Sequence, residues 1–181
     1  VLISSKDYLI AQLTGECVGD VAACSTAGAM NIRNGQWDAE LCEVAGIDMT
    51  ILPHLHNPQD NIGTVTESAA QRTGFSAGTA VYAGIGDAGA TTLASGVSHP
   101  GQYNINIGTS GWIATVSPEP FTDKPGAANL AFGVEEGFVN AVPFLNAGDV
   151  HKWVTGVFSD GDYSEAHQLI DTSKPGSNGV L

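Results

Sequence analysis

The chain opens with an alternation of apolar and polar positions at helical spacing. Residues 5 to 13, SKDYLIAQL, place Tyr8, Leu9 and Leu13 on one face and finish at Gly15, which predicts a short amphipathic helix. Asp20 precedes the small-residue run VAACSTAGAM and is placed to cap a short helix there. NIRNGQWDAELCEVAG predicts a turn at Asn34-Gly35, then a helix capped by Asp38 and closed by Gly46. ILPHL is a Pro-marked loop, NIGTVT a short strand, and TESAAQRTG a helix with Thr66 as N-cap and Gly74 past its end. GTAVYAG predicts a buried strand.

From residue 80 onward the pattern becomes strand, small-residue helix, strand, tight turn, strand. QYNINIG and GWIATV form the arms of a hairpin around Thr109-Ser110, and GFVNAVPF is a further strand. AGDVHKWVTGVF and YSEAHQLIDTS supply two more helices, with a solvated hairpin turn at Glu135-Glu136 before them. Strands and helices interleave throughout, which argues an α/β fold. The shift in composition near residues 76 to 80 marks a domain boundary. Both ends look abrupt: the chain starts at VLISSKDYL without an initiator Met and stops at PGSNGVL, where a turn has just launched an apolar strand. A piece of a larger protein is expected.

Charge narrows the class of partner. Six Lys+Arg stand against nineteen Asp+Glu, a formal net charge of −13, so nucleic acid and anionic membrane surfaces are not expected partners. Phosphate ligands remain open to such a chain, because backbone N–H groups and a divalent cation can hold them. At 43% hydrophobic and 14% charged residues, the chain can bury a core. Cys17, Cys24 and Cys42 are odd in number and follow no C-x-x-C spacing, which predicts reduced structural thiols in a cytoplasmic protein. No apolar run reaches membrane-spanning length.

Two stretches carry candidate chemistry. In AVYAGIGDAGATTLASG, Asp87 is the lone carboxylate among Gly and Ala, at the point where a strand ends and a helix opens. One reading is an N-cap, since Asp is among the best. The other is functional. Gly84, Gly86 and Gly89 remove side chains that would shield the carboxylate, and α/β proteins place ligands at such strand ends. A carboxylate there can accept a proton from a hydroxyl nucleophile. In NIGTSG, Gly108 and Gly111 free the backbone to present successive N–H groups, joined by the Thr109 and Ser110 hydroxyls. This suits a phosphate-binding hairpin as well as an ordinary Gly-rich β-turn. GTSGW is not G-x-S-x-G, because Trp112 takes the second Gly position, and no Lys follows a Gly as in a Walker A loop. His54 and His56 have the H-x-H form of a metal pair but no nearby Cys or carboxylate cluster. His99, His151 and His167 are scattered surface or packing residues, and Trp37, Trp112 and Trp153 are assigned to the core.

In order and spacing, these segments resemble the FGGY family of carbohydrate kinases, particularly its xylulose-kinase-like members. The resemblance rests on KDYLIAQLTGE, GDVAACSTAGAMNI, WDAELCEVAGI, LPHL, the stretch from IGTVTESAAQRTG to GIGDAGATTLASG, GQYNINIGTSGW and the closing KPGSNGVL. It implies a two-domain, actin-like (ribonuclease-H-like) ATPase fold that phosphorylates a sugar or polyol with MgATP. This chain would be its middle third, with residues 1–78 ending the first domain and 79–181 beginning the second. By the same resemblance Asp87 is the catalytic base and a substrate contact, and approaches Mg²⁺ through water. Gly108, Thr109, Ser110 and Gly111 become the second ATP phosphate loop. Asp87 would take the proton of a sugar hydroxyl as that hydroxyl attacks the γ-phosphoryl in line. Domain closure would keep water out.

The resemblance points first to a ketopentose such as D-xylulose, with ribulose, gluconate and glycerol kinases as alternatives within the family, and to homodimers. Outside that class stands a non-catalytic, sugar-sensing actin-like module, against which Asp87 argues. Many members carry a side-chain amide directly after the base, where this chain has Ala88. The N-terminal phosphate loop and the adenine-binding segment are not among these residues, so the chain alone is expected to be inactive.

Overall fold

The computed structural model describes residues 1–174 and 176–179, and the backbone but not the side chain of Asn178. The apolar strand expected after the last turn falls on Val180 and Leu181, outside the described residues. The chain divides into two compact units. The first comprises Val1–Asn104 and Ala114–Val142, the second Ile105–Ile113 and Pro143–Leu181.

The first unit starts with α1 (Ser5–Thr14), opened by a capping box between Ser4 and Asp7 and closed by Gly15 at φ +89°. Only glycine adopts that left-handed backbone without cost. The buried face of α1 is Asp7 and Ile10, whereas Tyr8 and Leu9 are exposed, contrary to the sequence pattern. Next come β1 (Val18–Asp20), the short α2 (Val21–Cys24), the hairpin β2 (Met30–Asn31) and β3 (Gln36–Trp37), and α3 (Ala39–Ala45). Asp20 and Asp38 cap α2 and α3 as expected, their side chains accepting from Ala23 N–H and Leu41 N–H. His54–His56, expected in a loop, is instead strand β4, which pairs in parallel with β1 from Val18↔His54 to Asp20↔His56.

β5 (Asn61–Thr64), α4 (Glu67–Thr73, capped by Thr66) and β6 (Ala80–Tyr82) follow. β5 and β6 pair antiparallel, and β6 is partly exposed rather than buried; burial begins at Ala83 behind it. After α5 (Asp87–Ala94), strands β7 (Tyr103–Ile107), β8 (Gly111–Ser117), β9 (Ala128–Ala131) and β10 (Phe138–Phe144) form one sheet in the order β7-β8-β10-β9. β9 was not foreseen; it pairs antiparallel with β10 across the exposed Glu135-Glu136 turn. The second unit ends in α6 (Gly148–Phe158) and α7 (Tyr163–Asp171), where Trp153 is 66% exposed and so is no core residue.

A small apolar cluster of Val21, Met30 and Ala131, flanked by Cys24, Ile32, Trp37 and Leu55, fixes α2 inside the first unit. All three cysteines are free, with Cys17 exposed and Cys42 fully buried. Burial pushes the Cys24 thiol up to about 11, with the carboxylates of Asp7 and Asp20 adding to it and Lys6 opposing. Thiolate is the reactive form. Iodoacetamide at pH 8 is therefore expected to label Cys17 promptly and to leave Cys24 and Cys42 unmodified until the chain is unfolded, as mass spectrometry of the digest would show.

Candidate active site

Asp87 is not the cap of its helix. Gly86 holds the N-cap position without a side-chain bond, and Asp87 is the first residue of α5. Its Oδ1 accepts from the Ala88 N–H at 2.8 Å, and the residue is exposed. Among the described residues no basic side chain pairs with it, and it sits at the positive end of the helix dipole. It borders a cleft of about 120 Å³ in the first unit, walled by Ala22, Ala23, Leu130, Ala131 and Val139.

The turn carrying Asp87 is fastened from two sides. A Cβ at Gly86 would meet the Ala23 Cβ at 3.2 Å and its Cα at 3.3 Å, so the missing side chain lets α2 approach. Gly84 has φ +68°, and Gly89 is buried against Ile85. Backbone conformation accounts for Gly84, and close approach accounts for Gly86 and Gly89. On the other side, Lys6 Nζ donates to the Ala83 carbonyl at 2.7 Å. The same ammonium ion pairs with the buried carboxylates of Asp7 and Asp20. Asp20 Oδ1 is occupied by its cap bond, while Oδ2 lies 3.2 Å from Nζ without hydrogen-bond alignment to any described donor. This network escaped the sequence reading because its members are separated by up to 77 positions.

Substituting Gly86 by Val is expected to cost about 1–3 kcal/mol, because the new side chain presses on the Ala23 backbone, which cannot rotate away. Urea denaturation of the variant checks it.

The loop Gly108–Gly111 belongs to the second unit. Gly108 N–H donates to the Ser110 carbonyl at 2.8 Å, closing the turn. The carbonyls of Gly108 and Thr109 accept from Gly148 and Ala147 N–H at 2.8 and 2.9 Å, which moors the loop to the start of α6. Glycine is required at 111, where a Cβ would fall 2.6 Å from the Asn106 carbonyl oxygen and also strike the Phe144 ring. Among the described residues no acceptor takes up the Thr109 or Ser110 N–H, and both residues are exposed. Two successive open N–H groups and two hydroxyls fit a phosphate. A Mg²⁺ ion would fit differently. No group of three or more His, Cys, Asp or Glu side chains able to hold a metal occurs among the described residues, so such an ion would take its oxygens mostly from nucleotide phosphates and water.

Residues 1–94, which include Asp87, match the N-terminal domain of the FGGY family of carbohydrate kinases. The chain belongs to that family. It is 28% identical to the gluconokinase of Bacillus subtilis (strain 168), over 99% of this chain and 37% of the gluconokinase. It is 26% identical to the xylulose kinase of the same organism, over 100% of this chain and 37% of that enzyme. The solved xylulose kinase of Lactobacillus acidophilus superimposes with a TM-score of 0.88 at 24% identity, covering 99% of this chain and 37% of that one. The actin-like fold of the FGGY sugar kinases is therefore the fold of this chain, which spans little more than a third of the length of these relatives.

Proposed function

We propose that this chain is the central segment of an ATP-dependent sugar kinase, with Asp87 as general base and Gly108–Gly111 as an ATP phosphate loop. The observation that carries the reading is the Asp87 carboxylate: exposed at the first position of α5, free of any basic partner among the described residues, and inside the stretch matched to the family. A carboxylate so placed can take the proton of a sugar hydroxyl as that oxygen attacks the γ-phosphoryl group. The Thr109 and Ser110 N–H groups stabilise phosphate charge without a lysine, which suits a chain of net charge −13. MgATP supplies the phosphoryl group and the cation that neutralises it.

A ketopentose such as D-xylulose is the proposed acceptor. The similarity to a gluconokinase keeps gluconate as the alternative, and Ala88 after the base leaves the choice to residues elsewhere. ADP release by the full-length protein is to be measured on D-xylulose, L-ribulose, D-gluconate and glycerol. Turnover on D-xylulose supports the reading, and turnover on another member reassigns the substrate. Silence on every sugar with MgATP still bound would favour a sugar-sensing module. The 181-residue chain by itself is expected to release no ADP, and measurable turnover by it would refute the incomplete-site assignment.

A further inference from the structure

β4 carries two histidines that the kinase reading does not use. His54 and His56 flank Leu55, so strand alternation sends both imidazoles out on one face while Leu55 packs against the Val21–Met30–Ala131 cluster. His54 Nδ1 and His56 Nε2 are 3.1 Å apart. His56 Nδ1 lies 3.5 Å from Asp60 Oδ2, a single carboxylate four residues further along the chain. One arrangement of protons serves all three side chains. His56 carries its proton on Nδ1, towards Asp60, and its Nε2 lone pair accepts from the His54 Nδ1–H.

A carboxylate beside the far nitrogen of an imidazole is the arrangement that orients metal-binding histidines. The spacing of the two near nitrogens also fits. Two imidazoles bound to one ion at about 2.0–2.1 Å stand about 2.9 Å apart at a right angle and about 3.4 Å apart at the tetrahedral angle. The observed 3.1 Å falls between these limits.

We infer that His54 and His56 form a two-histidine site for a divalent transition-metal ion of the Zn²⁺ class, with Asp60 orienting His56. Binding replaces the proton shared by the two rings. His54 moves that proton from Nδ1 to Nε2, both neutral rings then face the ion with a lone pair, and water fills the remaining positions. No electron is transferred. With two protein ligands the ion exchanges with solvent, and the negative charge of the chain raises the local cation concentration.

The test is titration of the 181-residue chain with Zn²⁺ alone, by calorimetry and by the ¹⁵N resonances of the histidine rings. One ion per chain is expected, with perturbation of His54 Nδ1 and His56 Nε2. Affinity should fall at least tenfold in H54A and in H56A, and roughly tenfold in D60N, as for other carboxylates behind a ligating histidine. Circular dichroism verifies that each variant is folded; should one unfold, the ring resonances of the unsubstituted chain decide. Absence of binding up to millimolar Zn²⁺, unchanged affinity in folded H54A and H56A, or perturbation centred on His99, His151 or His167 would each overturn the assignment.

Discussion

Asp87→Asn in the full-length protein is expected to lower kcat for sugar phosphorylation by roughly two to four orders of magnitude, the range that a positioned general base contributes. The substitution keeps size and shape but removes the ability to accept the hydroxyl proton. Its structural cost is small, because Asp87 is exposed and its bond within the fold is to the neighbouring Ala88 N–H, which an amide oxygen can also accept. The KM for ATP should change little, since the proposed phosphate contacts are backbone N–H groups at Thr109 and Ser110. Steady-state kinetics beside a thermal melt separates the outcomes. A variant that melts like the parent and turns over at the parental rate would reduce Asp87 to a surface residue at a helix start.

Lys6→Met is expected to be the most damaging single change to stability. Asp7 is 1% exposed and Asp20 is fully buried, and Lys6 is the cation that faces both. Removing one partner of a buried ionic group leaves charge without compensation and costs about 3–5 kcal/mol. Lys6 is itself 29% exposed, so water recovers part of this and the lower end of that range applies. In urea the midpoint should fall by on the order of 1–2 M. Adding Asp7→Asn to Lys6→Met removes one of the orphaned charges and should restore part of the loss. A double variant no more stable than the single one would show that the network is held by something other than charge.

These two predictions differ in how far the sequence carried them. The helix boundaries were legible because caps are local: Asp20, Asp38 and Thr66 each bond an N–H three residues on, and Gly15, Gly46 and Gly74 each stand in the left-handed region. Asp87 was legible as a candidate, but its place was off by one, since Gly86 takes the cap position and Asp87 the next. Cap and first-turn positions both favour Asp, so composition alone does not separate them. The ion-pair network was not legible. Nothing within a few residues of Lys6 shows that it will reach the Ala83 carbonyl, and the parallel pairing of β1 with β4 is non-local in the same way. Trp153 failed for a different reason: size predicts burial on average, and α6 turns this ring outward.

The short helix α2 has a consequence for how the chain is assembled. Its four residues receive the Gly86 turn through Ala23, and the neighbouring Ser25 hydroxyl accepts the Ala131 N–H across 106 positions. Lys6, joined to Asp20 at the head of this helix, closes a second loop of 77 positions. Loops of that length close at an entropic cost that the contacts they bring together must repay, and such non-local contacts slow folding. The geometry around Asp87 therefore depends on residues distant in sequence on both sides of it. During synthesis the segment leaves the ribosome well before the strand at Ala128–Ala131 that completes its surroundings.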